Sequence, residues 1–372
     1  MPLLDSIQNI AIIADPLSAG VISAIMAARL PGKNYTFDVY TQNDPSFEPY
    51  VYARPNIRHI HQLLQITEGE LIKSGAGKMV MALPVEAQSK RSFMLPLGHY
   101  GIAKNGCDFQ HFWHCAFEKG LVKDLEHYNF ALRLDQVEGA LDRSPEGCPK
   151  VDPGYKFDRE KYGQYLLKLA LNSGQIHQRG GDVQVKFSND GNCFLRADGQ
   201  KDIHYDLILN VSHKRADEPS GWTKNYINIV PDCYLSGMFL YQLQSAVTRL
   251  FELWPRKADM NLEAREYNRR LKAEREHISD MVYLCKNGAS ENMGVRLERK
   301  VELFRAKGRI AFEDNDAFSV AEWITVLRAS GVKAIGHHRL ADRLPIGNIV
   351  DWLQGLDKVM SRHVKHVTTG QL

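Results

Sequence analysis

The stretch from Asn9 to Asn43, NIAIIADPLSAGVISAIMAARLPGKNYTFDVYTQN, constrains this chain more than any other. Residues 10–13 form a short unbroken apolar run, the pattern of a strand buried on both faces. Between Ser18 and Leu30, the residues Ile22, Ile25, Met26 and Leu30 recur at helical spacing. Gly20, Ala24, Ala27 and Ala28 keep the other side small enough to lie close on a sheet. Pro31-Gly32 stops the helix, and residues 35–40 alternate like a second strand. This is the outline with which a dinucleotide-binding βαβ unit begins. Its turn, however, reads ADPLSAG where such units carry G-x-G-x-x-G. Asp15-Pro16 instead makes a good helix start, Asp15 as N-cap and Pro16 at N1. Pro16 has no N–H to offer a phosphate. A carboxylate at Asp15 is expected to oppose one by on the order of 1–4 kcal/mol at about 4 Å.

Composition excludes several classes. A formal net charge of +3, with acids interleaved among the basic residues, gives no stripe for nucleic acid. No apolar run reaches the roughly 20 residues that a membrane helix needs, so neither nucleic acid nor membrane is an expected partner. The six cysteines form no CxxC pair, which points to free thiols in a reducing compartment. The N-terminus MPLLDSIQNI lacks the basic region of a signal peptide, and the expected location is cytoplasmic.

Residues 42–55 read as a surface loop, residues 56–66 as a helix, and Thr67 with Glu70 as a capping box. Residues 78–83 predict one strand, and residues 93–118 an aromatic loop followed by a helix. Asp158–Leu171 is an amphipathic helix capped by Asp158, with Tyr162, Tyr165, Leu166 and Leu169 on one face. A β-meander is expected over residues 182–188, 193–197 and 203–211, with turns at Asn189-Asp190-Gly191 and Asp198-Gly199. Further helices are expected over 237–251, 262–285, 321–329 and 349–363, the second of them highly charged and read as a solvated face. The fold class is therefore α/β, FAD/NAD(P)-binding-like, with a Rossmann-type βαβ start, a β-meander and a helical C-terminal part. Residues 1–255 are assigned to the FAD-binding-like α/β domain and residues 256–372 to the helical region.

The order of segments resembles the flavin-dependent tryptophan halogenases, which share the FAD-binding fold of aromatic monooxygenases. The segments carrying this resemblance are PNIRHIHQLLQITEGELIKSGAGK at 55–78, LPLGHYGI with FQHFW, YKFDREKYGQYLLKLALNSG with the meander to DLILNVS, and the later GWTKNYINI, AREYNRRL, LERKVELFRAKGRI and FSVAEWITVLRASGV. The chain resembles a divergent, shortened member. The resemblance implies FAD as cofactor, reduced by a partner flavin reductase, and a small aromatic, indole-like substrate. It sets Lys78 at the position of the essential lysine and Ala14, Asp15, Gly20 and Thr41 at positions of the flavin motif. Phe109, Phe112 and Trp113 would line an aromatic-substrate pocket.

The departures from the family pattern are specific. Ala14 and Pro16 replace the first two glycines, and only Gly20 remains, one place late. The ribose-binding acid falls near Thr41 or Gln42, and YVYAR at 50–54 stands for a Gly-Glu-Ala-Thr loop. The late flavin turn is Val230-Pro231-Asp232, and a block between Arg215 and Gly221 is missing. The glutamate implied opposite Lys78 has no counterpart in residues 233–251, which hold no acid; Leu240 stands nearest its position. Two readings follow, a divergent flavin-dependent halogenase or oxidoreductase, and a non-catalytic binding or scaffolding descendant that has lost FAD. Cys107, His111, His114 and Cys115 have spacing found in zinc sites, but their aromatic neighbours favour core packing, and no metal is expected. His59, His61, His337 and His338 read as surface or capping histidines.

Overall fold

A computed structural model describes residues 7–32, 34–42, 47–86, 92–197, 201–211, 221–231, 234–255, 260–290, 292–311, 313 and 316–369. Asn43, the turn at Asp198-Gly199, the missing block after Arg215, Asp232 and Cys233 lie outside the described residues. The first part of the chain forms β1 (Asn9–Ala14), α1 (Pro16–Arg29), β2 (Thr36–Thr41), β3 (Tyr50–Ala53), α2 (Ile57–Leu63), α3 (Glu68–Lys73) and β4 (Gly77–Val80). Then come β5 (Ala82–Val85), β6 (Phe93–Pro96), α4 (Phe109–Phe117), α5 (Phe130–Asp135), β7 (Gly154–Asp158) and α6 (Arg159–Leu171). Strands β8 (Ile176–Arg179), β9 (Val183–Phe187), β10 (Cys193–Ala197), β11 (Leu207–Val211), β12 (Gly221–Thr223) and β13 (Tyr226–Ile229) follow. The rest is helical: α7 (Met238–Glu252), α8 (Asn261–Asn287), α9 (Val295–Lys307), α10 (Val320–Ala329) and α11 (Ile346–Thr369). The expected strand over 78–83 is broken at Met81 into β4 and β5. Strands β3, β7 and β4 form a three-stranded sheet in that order.

Contacts divide the chain into two compact units, residues 1–78 with 156–273 and residues 79–155 with 274–372. Each unit takes one stretch from early in the chain and one from late.

The first unit is built on a six-stranded sheet ordered β12-β13-β11-β1-β2-β8, parallel except for β12. Ala11 and Ile13 of β1 face a cluster with Val183, Cys193 and Leu195 of the β9–β10 hairpin. Ile10 and Ile12 point the other way by the pleat of the strand and are equally buried, on the side where α1 packs on β1 and β2. Burial on both faces is why the run is apolar throughout. The same rule corrects the meander. Ile203 bridges Leu195, but the apolar run LILNV leaves the hairpin and pairs in parallel with β1, Ile208 opposite Ala11. Asp206 holds that crossing, its carboxylate accepting from the N–H groups of Gln8 and Asn9 at 2.9 and 2.8 Å.

The buried stripe of α6 also differs from expectation. Tyr162, Gly163, Leu166, Leu167 and Ala170 face inward, while Leu169 is exposed and Tyr165 only half-buried. Close approach to α1 sets this rotation. A Cβ on Gly20 would fall 2.3 Å from the Gly163 carbonyl oxygen, and one on Gly163 would fall 2.7 Å from the Pro16 carbonyl oxygen. Two glycines let the helix backbones touch.

In the second unit, β5 and β6 pair antiparallel, α10 packs on β6, and α11 packs on α4 and α5. Ser319 and Glu322 form a capping box at the start of α10. Lys300 donates to Asp316 Oδ2 at 2.7 Å with both side chains almost fully buried, and the Trp323 indole N–H donates to the same oxygen at 2.8 Å. Residues 332–338 form no regular element.

Candidate functional site

In a dinucleotide-binding fold the pyrophosphate rests on free N–H groups where the first strand turns into the first helix. Here Asp15, 5% exposed, caps α1. Its Oδ1 accepts from the N–H of Leu17 at 3.1 Å and of Ser18 at 3.4 Å. Ala19 N–H donates to the Asp15 carbonyl at 2.8 Å, and Pro16 has no N–H. The first turn of α1 therefore has no donor left over.

Arg159 completes this arrangement. Its guanidinium donates to Asp15 Oδ1 at 3.2 Å and lies over the rings of Phe47 and Phe239, with centroids at 3.4 and 4.5 Å. The two rings meet edge to face, 5.7 Å apart, and a guanidinium over both is well held. The guanidinium offsets the Asp15 charge, so the turn departs from a phosphate cradle in its spent donors more than in its charge. Sequence reasoning found the Asp158 cap of α6 but missed Arg159 beside it, because nothing local pairs it with a residue 144 positions away.

The other expected flavin positions are also committed elsewhere. Ala14 is buried at the end of β1, opposite Thr41 at the end of β2. Thr41 is half-buried, and Gln42 gives its side-chain amide to the Val183 carbonyl at 2.9 Å. Gly20 serves the helix contact with Gly163. These residues do not fit a dinucleotide pyrophosphate and ribose. Lys78 lies exposed on β4. Leu240, nearest the position of the implied glutamate, is 1% exposed on α7.

The second unit holds the aromatic candidates. Phe109 and Phe112 are buried edge-on against Trp352, and Phe109 also lies tilted against Tyr128. Trp113 donates its indole N–H to the Lys123 carbonyl at 2.9 Å, stacks on Phe117 and carries the Arg328 guanidinium over its ring. With Phe117, His111, His114 and Phe304 it lines a cavity of about 360 Å3. Beside it the His111 and His338 rings lie 5.8 Å apart and the His114 and His337 rings 5.6 Å. Burial holds His111 down to about 4, so its imidazole is neutral near pH 7. Cys115, His337 and Asp342 converge there, one ligand atom from each lying within 4.8 Å of the others. Burial, and then the Asp342 charge, push the Cys115 thiol up to about 11. Cys107, Cys115, Cys148 and Cys285 are free thiols. No helix among the described residues is long and apolar enough to cross a membrane.

Comparison with known proteins explains the architecture. The family model for tryptophan halogenase matches residues 52–217 and 233–346, more than half of the chain. Against curated protein sequences no match is found. Among solved structures, Xcc4156, a flavin-dependent halogenase from Xanthomonas campestris, superposes with a TM-score of 0.84 at 18% identity, covering 97% of this chain and 96% of that one. BrvH, a flavin-dependent halogenase from Brevundimonas sp. BAL3, gives 0.82 at 14% identity, covering 97% of each chain. A tryptophan halogenase from Shewanella frigidimarina gives 0.70 at 12% identity, covering 98% of each. At such identities the likeness shows a shared fold, the FAD-binding α/β architecture with its helical C-terminal part. With a family model matched across both halves of that fold, the chain belongs to the tryptophan halogenase family.

Proposed function

We propose that this protein keeps the family fold as a non-catalytic binding or scaffolding protein and does not carry out flavin-dependent halogenation. The observation that carries the reading is the Asp15–Arg159 pair at the start of α1, with every N–H of the first turn already bonded. Leu240 at the position of the implied acid and Lys78 on an exposed strand edge support it. The ligand class is a small aromatic molecule, supported by Trp113 and Phe117 on a cavity of about 360 Å3, within the range of small-molecule pockets. The catalytic reading, with reduced FAD from a partner reductase and Lys78 as acid, draws its support from the structurally similar flavin-dependent halogenases Xcc4156 and BrvH.

One experiment separates the two. Purified protein is titrated with FAD and then incubated with a flavin reductase, NADH, oxygen, bromide and tryptophan or indole. The expected result is a colourless protein, unquenched flavin fluorescence and no brominated product. Stoichiometric FAD or any brominated indole would overturn the proposal.

A further inference from the structure

We propose that Cys115, His337 and Asp342 form a binding site for one divalent ion of the zinc type, a site independent of the flavin question. Cys115 lies half-buried on α4, whereas His337 and Asp342 come from the stretch that follows α10, more than 200 residues later. A tetrahedral ion with bonds of 2.0–2.3 Å sets its ligand atoms roughly 3.3–3.8 Å apart. Atoms already within 4.8 Å of one another reach that spacing by side-chain adjustment of roughly 1 Å. His337 Nε2 and Asp342 Oδ1 now stand 2.7 Å apart, hydrogen-bonded to each other, and would open by roughly 1 Å to hold the ion. The ion would take the place of the proton they share, which moves to Nδ1, and would displace the Cys115 thiol proton to solvent. Water fills the fourth position.

Thiolate, imidazole and carboxylate together select zinc or cobalt over magnesium or calcium, which take oxygen ligands. A second observation points to the same place. His111, 3% exposed, has its Nδ1 buried with no hydrogen-bond partner among the described residues, and its ring lies against His338. A fully buried, unpaired ring nitrogen is rare in a finished core. His338, against which the ring lies, is the chain neighbour of the ligand His337.

The ion would also supply what this segment lacks. Residues 332–338 have no regular structure, and Ile335 N–H to the Arg305 carbonyl is one of the few backbone bonds that hold them. A crosslink from Cys115 to His337 closes a long loop, the case in which a tie adds most stability.

The test uses full-length, untagged protein stripped with EDTA and titrated with Co2+. The expected result is one equivalent bound, a thiolate-to-cobalt charge-transfer band in the near ultraviolet and a raised thermal midpoint. Cys115→Ser should abolish the band, with circular dichroism checking its fold. Asp342→Asn, at an exposed position, should weaken binding at least about tenfold, since even residues that merely orient a ligand cost that much. His363→Gln, on α11, should bind as the unsubstituted protein does. Substoichiometric binding, a band surviving Cys115→Ser, or unchanged affinity in Asp342→Asn would each overturn the assignment.

Discussion

Replacing Arg159 with Met is the sharpest test of how the turn before α1 is held. The Asp15 side chain is 4% exposed and that of Arg159 12%, so the pair is shielded from water and salt. Breaking a buried pair from one side costs about 3–5 kcal/mol, because the remaining charge stays buried. The helix N-terminus and the two amide donors from Leu17 and Ser18 return roughly 0.5–2 kcal/mol of that. A net loss of about 1–4.5 kcal/mol follows. At roughly 2–4 °C per kcal/mol for units of this size, the midpoint should fall by about 2–18 °C. Asp15→Ser retains the cap without the charge. In that background Arg159→Met should cost no more than about 1 kcal/mol, the value of its ring contacts. Urea unfolding followed by circular dichroism measures the cycle. A single-variant loss below about 1 kcal/mol, or equal costs in both backgrounds, would refute the reasoning. The double variant should still leave FAD fluorescence unquenched, because Pro16 has no N–H and Gly20 remains committed to Gly163.

Three further outcomes follow from the same geometry. Gly163→Ala would drive its Cβ into the Pro16 carbonyl and the Leu17 Cα, both backbone, and should cost on the order of 1–3 kcal/mol or more in urea unfolding. Lys300→Met should cost about 3–5 kcal/mol by leaving Asp316 charged and buried, and Lys300→Met with Asp316→Asn should recover part of it in a thermal melt. Burial, and then the Arg58 charge, lower His61 to about 4, and His61 Nε2 lies 2.9 Å from the Tyr162 hydroxyl. Since the unfolded imidazole titrates near 6.5, its contribution is complete above that value and is lost as pH falls toward about 4. His61→Gln should flatten the stability-against-pH curve between about 6.5 and 4, by as much as about 3 kcal/mol.

Much of the local architecture was legible in the residues. The Asp15 cap, the Thr67–Glu70 capping box, the Asp158 cap and the long C-terminal helices all rest on contacts a few positions apart. A cap is a hydrogen bond from one residue to another two or three places on, so the amino-acid order determines it directly. The loss of the glycine turn was legible for the same reason.

What tertiary structure decided concerns partners distant in the chain. LILNV has no alternation, and only its place beside β1 makes it a strand of the parallel sheet rather than the last strand of a meander. Gly20 looks like the remnant of a phosphate loop until α6 packs against it, when it becomes a helix contact. Phe109 and Phe112 pack edge-on against Trp352 of α11, a neighbour more than 200 positions away that their own stretch does not reveal. Asp15 alone would repel an anion; with Arg159 it forms a neutral, occupied site. Cys115 read with its near neighbours on α4, and His337-His338 as surface or capping histidines, because spacing along the chain says nothing about atoms that meet only when α4 and residues 337–342 fold together. Short-range hydrogen bonds are encoded by order, and long-range packing is encoded only by the fold.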